Sequence, residues 1–357
     1  MKIENIRLTN FRNYKTQEID LIPGINLFVG DNANGKTNII ESVYVSSFGK
    51  PYRTTKDVEL IKFGEKYSRI EIIYNEKDVK NKIEYYIDEN NKKIIKQNDI
   101  KVSKLSEHVG KLLIVIFSPD SLDIVKGAPS KRRSFLDMIC SQLSKLYFIN
   151  LQEYMKCLKL KNSILKNQNI DKEYINILHE KMSDYIFFIV NFRKKVIEKL
   201  EKKAIGIQMD ITNKKENIKL EYITDFLDKN KEQIKEILNL NFNIEVLRKS
   251  SIKGIQRDDI EILVNDMEVS KFGSQGQNRT ALLTLKLANF EILKEEKEET
   301  PILLLDDIMS ELDQNRIRYL LEYIKDYQSI ITTTDATFAK NVENIKISEV
   351  KEGNIFV

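Results

Sequence analysis

The segment Gly30-Asp31-Asn32-Ala33-Asn34-Gly35-Lys36-Thr37 fits the pattern GxxxxGK[ST] at every defined position. Glycines at both ends permit a tight loop whose N–H groups converge. Converging N–H groups at a helix start hold phosphate oxygens. Lys36 supplies a point charge for the β and γ phosphates of a nucleotide, and the Thr37 hydroxyl suits magnesium. A second chemical segment lies far downstream, where Asp306 and Asp307 close the apolar run Ile302-Leu303-Leu304-Leu305. A carboxylate at a strand end, facing a phosphate loop, serves a magnesium ion, which gives that role to Asp306. Asp307, one residue on, is placed to polarise the attacking water. The chemistry expected of Lys36, Asp306 and Asp307 is therefore magnesium-dependent cleavage of the γ-phosphate of ATP.

Such residues need a particular frame. The short apolar run Ile25–Val29, after the turn Pro23-Gly24, reads as a buried strand, and Asn38–Ser46 reads as the helix that follows. Near the other end, strand 301–305, helix Gln314–Lys325 and strand Ser329–Thr333 repeat an α/β alternation. Further strands are expected over 69–74, 82–87, 93–96 and 112–117. The middle differs: from Ser130 to about Leu238 there is no proline, and Phe135, Ile139, Leu143 and Leu146 recur at helical spacing. Helices are expected over Lys172–Ala204 and Glu221–Leu240, with a hinge at Asn167–Asp171. Strands at Phe242–Leu247 and Asp259–Val264 and a helix over Gly276–Lys294 complete the reading. The expected fold is α/β, with residues 1–129 and 241–357 forming a nucleotide-binding head and 130–240 a mainly helical insertion.

Composition excludes other chemistries. With 357 residues, 41% hydrophobic and 31% charged, the chain has the make-up of a globular protein with a substantial core. Its two cysteines, Cys140 and Cys157, and two histidines, His108 and His179, leave nothing for a disulfide framework, a structural zinc site or a Ser-His-Asp triad. No apolar run approaches the roughly 18 residues that a membrane span needs, and the start has no signal-peptide pattern, so no membrane partner and a cytoplasmic setting are expected. Net charge is only +4, yet residues 131–170 hold eight Lys/Arg against two Asp/Glu. Lys131, Arg132, Arg133, Lys156, Lys159, Lys161 and Lys166 are therefore candidates for sequence-independent DNA phosphate contact, against the plainer reading of a solvated helix face. Tyr147, Phe148 and Tyr154 nearby read as core packing in preference to base stacking.

Gly35 and Asp306 stand 271 residues apart, so both ends of the chain must build one site. That arrangement belongs to ATP-binding cassette heads of the SMC type. Phe272-Gly273-Ser274-Gln275-Gly276-Gln277-Asn278-Arg279 is similar to the cassette signature, and Ser310-Glu311-Leu312-Asp313 to the loop that crosses a cassette dimer. With ENIRLTNFRNY, GDNANGKTNIIES, IFSPDSLDIVKGAPSKRRSFLD, PILLLDDIMSELD and the late TTTD, these segments make the whole chain resemble the RecF family of bacterial DNA replication and repair proteins.

The resemblance implies an ATPase that binds single- and double-stranded DNA, gapped DNA included. It implies a homodimer when ATP is bound, and action with RecO and RecR in loading RecA and in the SOS response. It implies that Gly30, Asp31, Asn32, Ala33, Asn34, Gly35, Lys36, Thr37 and Asn38 bind ATP, that Thr37 and Asp306 bind Mg2+, and that Arg53 lies near nucleotide. Ser274, Gly276 and Gln277 would reach the nucleotide held by the other subunit. Gln256 stands where the family often has histidine, in Gly254-Ile255-Gln256-Arg257-Asp258-Asp259. The alternatives are a dimerising scaffold with negligible hydrolysis, and another cassette ATPase such as a transporter's, which usually lacks such an insertion.

Overall fold

The computed structural model describes residues 1–167 and 169–356, without the side chains of Lys340 and Asn341. The chain forms two compact units, one of residues 1–121 with 289–357, the other of residues 122–288. Among the described residues, no helix is long and apolar enough to cross a membrane.

The first unit holds two six-stranded sheets. One runs Asn354–Phe356, Ile345–Lys351, Ile25–Val29, Ser329–Thr333, Ile302–Asp306, Ile114–Phe117, and all its pairs are parallel except the terminal hairpin. Its central strands are covered on both faces, so they need continuous apolar sequence, and Ile302–Leu305 is wholly buried. Register aligns the strand ends: Thr332 lies opposite both Phe28 and Asp306, and Thr333 opposite Val29. Ligands of open parallel sheets bind at this carboxyl edge. The second sheet is antiparallel, in the order Tyr14–Asp20, Lys2–Phe11, Tyr67–Glu76, Val79–Asp88, Lys93–Gln97, Ile100–Lys101. Strand Tyr67–Glu76 alternates, with Ser68, Ile70, Ile72 and Tyr74 inside. Helix Lys36–Phe48 is buried along almost its whole length, including the polar residues Glu41, Ser42, Ser46 and Ser47.

The second unit is built on helices Pro129–Leu143, Lys145–Ile164 and Lys172–Ile211, the last 40 residues and so about 60 Å long. A three-stranded sheet, Met267–Glu268, Asp259–Val264, Ile218–Ile223, completes it. The hinge expected at Asn167–Asp171 includes Gln168, which lies outside the described residues. Two expectations are corrected. Residues 221–223 are strand, and the helix begins only at Lys231, where Asn230 and Gln233 cap each other's backbone N–H. Phe242–Leu247 is not a strand but part of helix Phe242–Arg248. Six residues of mixed polarity fit period 2 and period 3.6 almost equally, and here the buried Glu245 settles the matter by pairing with Lys161 of a neighbouring helix at 2.6 Å.

The basic stretch is consumed only in part inside this unit. Arg193, fully buried, donates to Asp258 and Asp137 at 2.7 Å each and to the Tyr147 hydroxyl at 2.9 Å. Arg132 grips Asp259 with two prongs at 2.7 and 2.8 Å, and Arg133 donates to the Asp258 carbonyl at 2.7 Å. Lys131 pairs with Asp123, Lys156 with Glu153, and Lys161 has no exposed side chain at all. Arg132 and Lys161 are thus structural cations and not open phosphate contacts, which corrects the expectation from charge density for those two, while Arg133 is half-buried with one bond to a backbone carbonyl. Lys159 and Lys166 remain exposed. Tyr147 and Tyr154 are core, as read. Gln256 accepts from the Tyr154 hydroxyl and donates to the Lys253 carbonyl, a strut that needs no imidazole.

Removing Arg193 leaves Asp137 and Asp258 without their buried cation. Arg193→Met is expected to cost about 3–5 kcal/mol in urea unfolding. Lys159→Met, at an exposed site, should cost under about 0.5 kcal/mol. Equal losses would contradict the burial pattern.

Candidate functional site

Strand Ile25–Val29 ends in the loop Gly30–Gly35, and helix Lys36–Phe48 starts at once. Gly35 adopts φ 109°, a region that favours glycine, and a Cβ there would meet the Asn13 amide at 2.4 Å. At Gly30 a Cβ would stand 2.2 Å from the Val350 carbonyl. Both glycines of the motif are therefore sterically required. The loop is also braced from outside. Asn13 donates to the Asn34 carbonyl at 3.0 Å and accepts from Asn38 at 2.8 Å, while the Tyr14 hydroxyl donates to the Gly35 carbonyl at 3.1 Å.

Asn32, Ala33, Gly35, Lys36, Thr37, Asn38, Arg53, Asp306, Asp307 and Thr332 line one cavity of about 230 Å³. Gly30 and Asp31 enter through their carbonyls, which accept from Lys36 Nζ at 2.6 and 2.8 Å. Burial pushes the Lys36 ammonium below its ordinary range, against the pull of Asp307, Asp31 and Asp306. Thr37 Oγ1 donates to Asp306 Oδ1 at 2.8 Å across 269 residues of sequence. Thr332 donates to the same oxygen at 2.8 Å, and the Tyr52 hydroxyl to Asp306 Oδ2 at 3.1 Å. Asp306 is held by three hydroxyls; the phosphate-loop pattern marks Thr37, the TTTD segment contains Thr332 without giving it a role, and Tyr52 is not singled out.

Asp307 is built differently. Its backbone is left-handed, φ 51° and ψ 22°, fixed by donation from its N–H to the Thr332 carbonyl at 3.1 Å. The kink turns Asp307 out of the strand at the sheet edge. Burial raises its carboxyl pKa, with Lys36 opposing and Asp306 adding to the rise. Its Oδ1 is buried without a hydrogen-bond partner. An acceptor left over at the cavity wall fits a water that needs orienting. The Thr37 and Asp306 oxygens fit Mg2+, a hard ion that keeps several waters and shares phosphate oxygens. Among the described residues, no cluster of three or more His, Cys, Asp or Glu could hold a metal unaided.

Beneath the loop lies a group that the motifs missed. Glu41, four residues after Thr37 on the same helix face, has no exposed side chain. Arg12 clasps it at 2.9 and 3.0 Å, and Arg53 Nη1 stands 3.9 Å away. Glu41 lies in the family-like segment GDNANGKTNIIES and Arg12 in ENIRLTNFRNY, but neither segment reports the partner.

Ser274, Gly276 and Gln277 lie in the other unit, at the start of helix Gln275–Lys297. Gln277 N–H donates to Ser274 Oγ at 3.2 Å, and Ser274 N–H to Gln277 Oε1 at 2.9 Å. This reciprocal cap fixes both side chains, and the Ser274 O–H and Gln277 NH2 are donors that it does not use. Asp313 caps helix Gln314–Ile324, which gives that part of the Ser310–Asp313 segment a structural duty.

A phosphate loop, its helix and an aspartate-bearing strand, joined from both chain ends at one parallel sheet edge, define an ABC-ATPase head of the SMC type. A solved SMC head with 18% identity shares this fold at TM-score 0.61, covering 100% of this chain and 96% of its own. The family model described as AAA ATPase domain matches residues 1–354. The DNA replication and repair protein RecF of Clostridium novyi is 42% identical over 359 residues, 99% of each chain. A structure of the recombination mediator protein RecF-ATP of the RecFOR pathway matches at TM-score 0.91 and 35% identity, over 99% of this chain and 96% of the other. The chain belongs to the RecF family.

Arg12 neutralises a buried carboxylate and Arg53 stands off from it. Arg12→Ala is expected to cost about 3–5 kcal/mol of stability, and Arg53→Ala less than about 1 kcal/mol. Chemical unfolding of the two variants checks this, and a reversed order would contradict the geometry.

Proposed function

We propose that the protein is a magnesium-dependent ATPase that closes as a homodimer on DNA when ATP is bound and reopens on hydrolysis. Its work would be recombinational repair and replication-gap processing in the cytoplasm, with RecO and RecR, toward RecA loading and the SOS response. The observation that carries the reading is the Thr37–Asp306 contact, which joins a phosphate loop to a strand-end carboxylate in a cavity of nucleotide-phosphate chemistry. Kinship to a RecF-ATP structure over nearly the whole chain supports it.

In this reading the loop from Gly30 to Asn38 holds the phosphates, with Lys36 leaving its two carbonyls for phosphate oxygens. Arg53 adds a guanidinium. Thr37 and Asp306 hold the magnesium ion, which neutralises developing phosphate charge. Asp307 accepts a hydrogen bond from the attacking water and aims it. Ser274, Gly276 and Gln277 of each chain would grip the nucleotide of the other. DNA phosphate contact falls to the more exposed cations, since Arg132 and Lys161 are spent internally.

Lys36→Ala is expected to weaken ATP binding at least tenfold, roughly the loss of a charge-assisted contact, and leave the fold intact. Asp307→Asn should keep ATP binding and slow hydrolysis by about 10²-fold, a typical loss for one acid–base group. Phosphate release under single-turnover conditions reads both. The composite site is tested by mixing. Lys36→Ala and Ser274→Arg chains, each inactive alone, should regain partial hydrolysis together, because one of the two sites in a mixed dimer carries neither defect. Normal hydrolysis by Ser274→Arg alone would rule the dimeric mechanism out.

A further inference from the structure

Two arginines share the one buried carboxylate of Glu41, and they do so unequally. Arg12 spends its fork fully: Nε and Nη2 on the two carboxylate oxygens at 2.9 and 3.0 Å, Nη1 on the Glu59 carbonyl at 2.8 Å. Its backbone is fixed as well, with its N–H donating to the Leu60 carbonyl at 2.8 Å. Arg53 is half exposed and stands 3.9 Å from the carboxylate. It donates to Asn38 Oδ1 at 3.1 Å, and its other guanidinium N–H groups have no partner among the described residues. Arg53 also lines the cavity, whereas Arg12 is not among its lining residues.

Arg12 already gives the buried carboxylate its ion pair, so Arg53 is not needed for stability, yet the Glu41 oxygen 3.9 Å from Arg53 Nη1 is too near for a hydration shell to separate the two. What Glu41 does for Arg53 is hold it. An isolated surface arginine samples many rotamers, and ordering it costs free energy when a ligand arrives. A weak long-range attraction to Glu41, with Asn38 as second support, keeps the fork at the cavity wall without saturating its donors. Glu41 itself cannot touch a nucleotide.

We infer that Glu41 is a positioning residue for nucleotide binding: Arg12 neutralises it permanently so that its residual attraction can hold Arg53 as a releasable ligand for the phosphates of ATP. When phosphate enters, Arg53 turns its free N–H groups onto it and loosens from Glu41, while the Arg12 clasp keeps the carboxylate from being left unpaired. The inference rests on the nucleotide reading above and assigns a role outside the phosphate loop.

The test is a double-mutant cycle read as ATP affinity by calorimetry, with thermal unfolding of each variant alongside. Arg53→Ala should weaken ATP binding about tenfold. Glu41→Gln, which keeps size and one acceptor but loses charge, should weaken it about fivefold when Arg53 is present and not at all in the Arg53→Ala background. An equal loss in both backgrounds means that Glu41 acts through the fold and overturns the inference, as does wild-type affinity in Arg53→Ala. Should Glu41→Gln fail to fold, Glu41→Asp decides: it keeps the charge that Arg12 pairs with but draws the carboxylate back from Arg53 by one methylene. A loss of ATP affinity is then expected with Arg53 present and none in the Arg53→Ala background, and an equal change in both backgrounds overturns the inference. Lys36→Ala separates the two levels. If it abolishes binding while the Glu41 and Arg53 variants are silent, the nucleotide reading stands and this inference falls. If it too binds like wild type, the nucleotide reading falls first.

Discussion

Parallel pairing of Ile25–Val29 with Ser329–Thr333 brings the first thirty and the last thirty residues of the chain into one sheet. The approach of the phosphate loop to Asp306 follows from that register. Thr333 opposite Val29 puts the strand end level with the start of the phosphate loop, and Asp306 opposite Thr332 brings the carboxylate to the same edge. A one-residue slip would reverse every side chain on the strand and carry Asp306 to the other face. Strands Ile302–Asp306 and Ser329–Thr333 are both covered completely, so burial alone does not distinguish their faces, and the polar pair Thr332–Asp306, at 2.8 Å, marks the observed register.

That dependence explains which parts of the site were legible in sequence. The phosphate loop could be read because its chemistry is local: two glycines, a lysine and a threonine within eight residues. Asp306 could be read because an apolar strand ended on it. The roles of Arg12, Asn13, Tyr14, Tyr52 and Thr332 could not, because each acts through a partner far away in sequence. Thr332 opens the family-like TTTD segment, but nothing in the sequence says that it holds both the Asp306 carboxylate and the Asp307 backbone. The family resemblance marked the segment around Arg12 without saying what it does.

Outside the site, the errors share a cause. Charge density along 131–170 suggested an open cationic face, but density in sequence carries no information on pairing. Arg132 finds Asp259 and Arg193 finds Asp137 and Asp258 only once the helices and the segment 254–259 have assembled. Phe242–Leu247 failed for a related reason. Its period was ambiguous, and the deciding contact, Lys161 with Glu245, joins residues 84 apart. The long helix Lys172–Ile211 was read well because 40 residues of one period outweigh any single contact.

The two kinds of cation in this chain also separate stability from function. Arg193, Arg132 and Arg12 sit in tight forks on carboxylates that are buried or nearly so, and a cation in that position cannot be given up without leaving a bare charge behind. Lys36 and Arg53 are held by weaker means, two backbone carbonyls in one case and a side-chain amide with a distant carboxylate in the other. Neutral acceptors bind a cation less firmly than a carboxylate does, so an arriving phosphate can displace them at small cost. Glu41 is where the two kinds meet, because the same carboxylate is clasped at 2.9 Å by an arginine that must stay and faced at 3.9 Å by one that is free to leave. The division has a physical sense of its own, since a site whose cations were all paired as tightly as Arg193 would be stable and closed to phosphate.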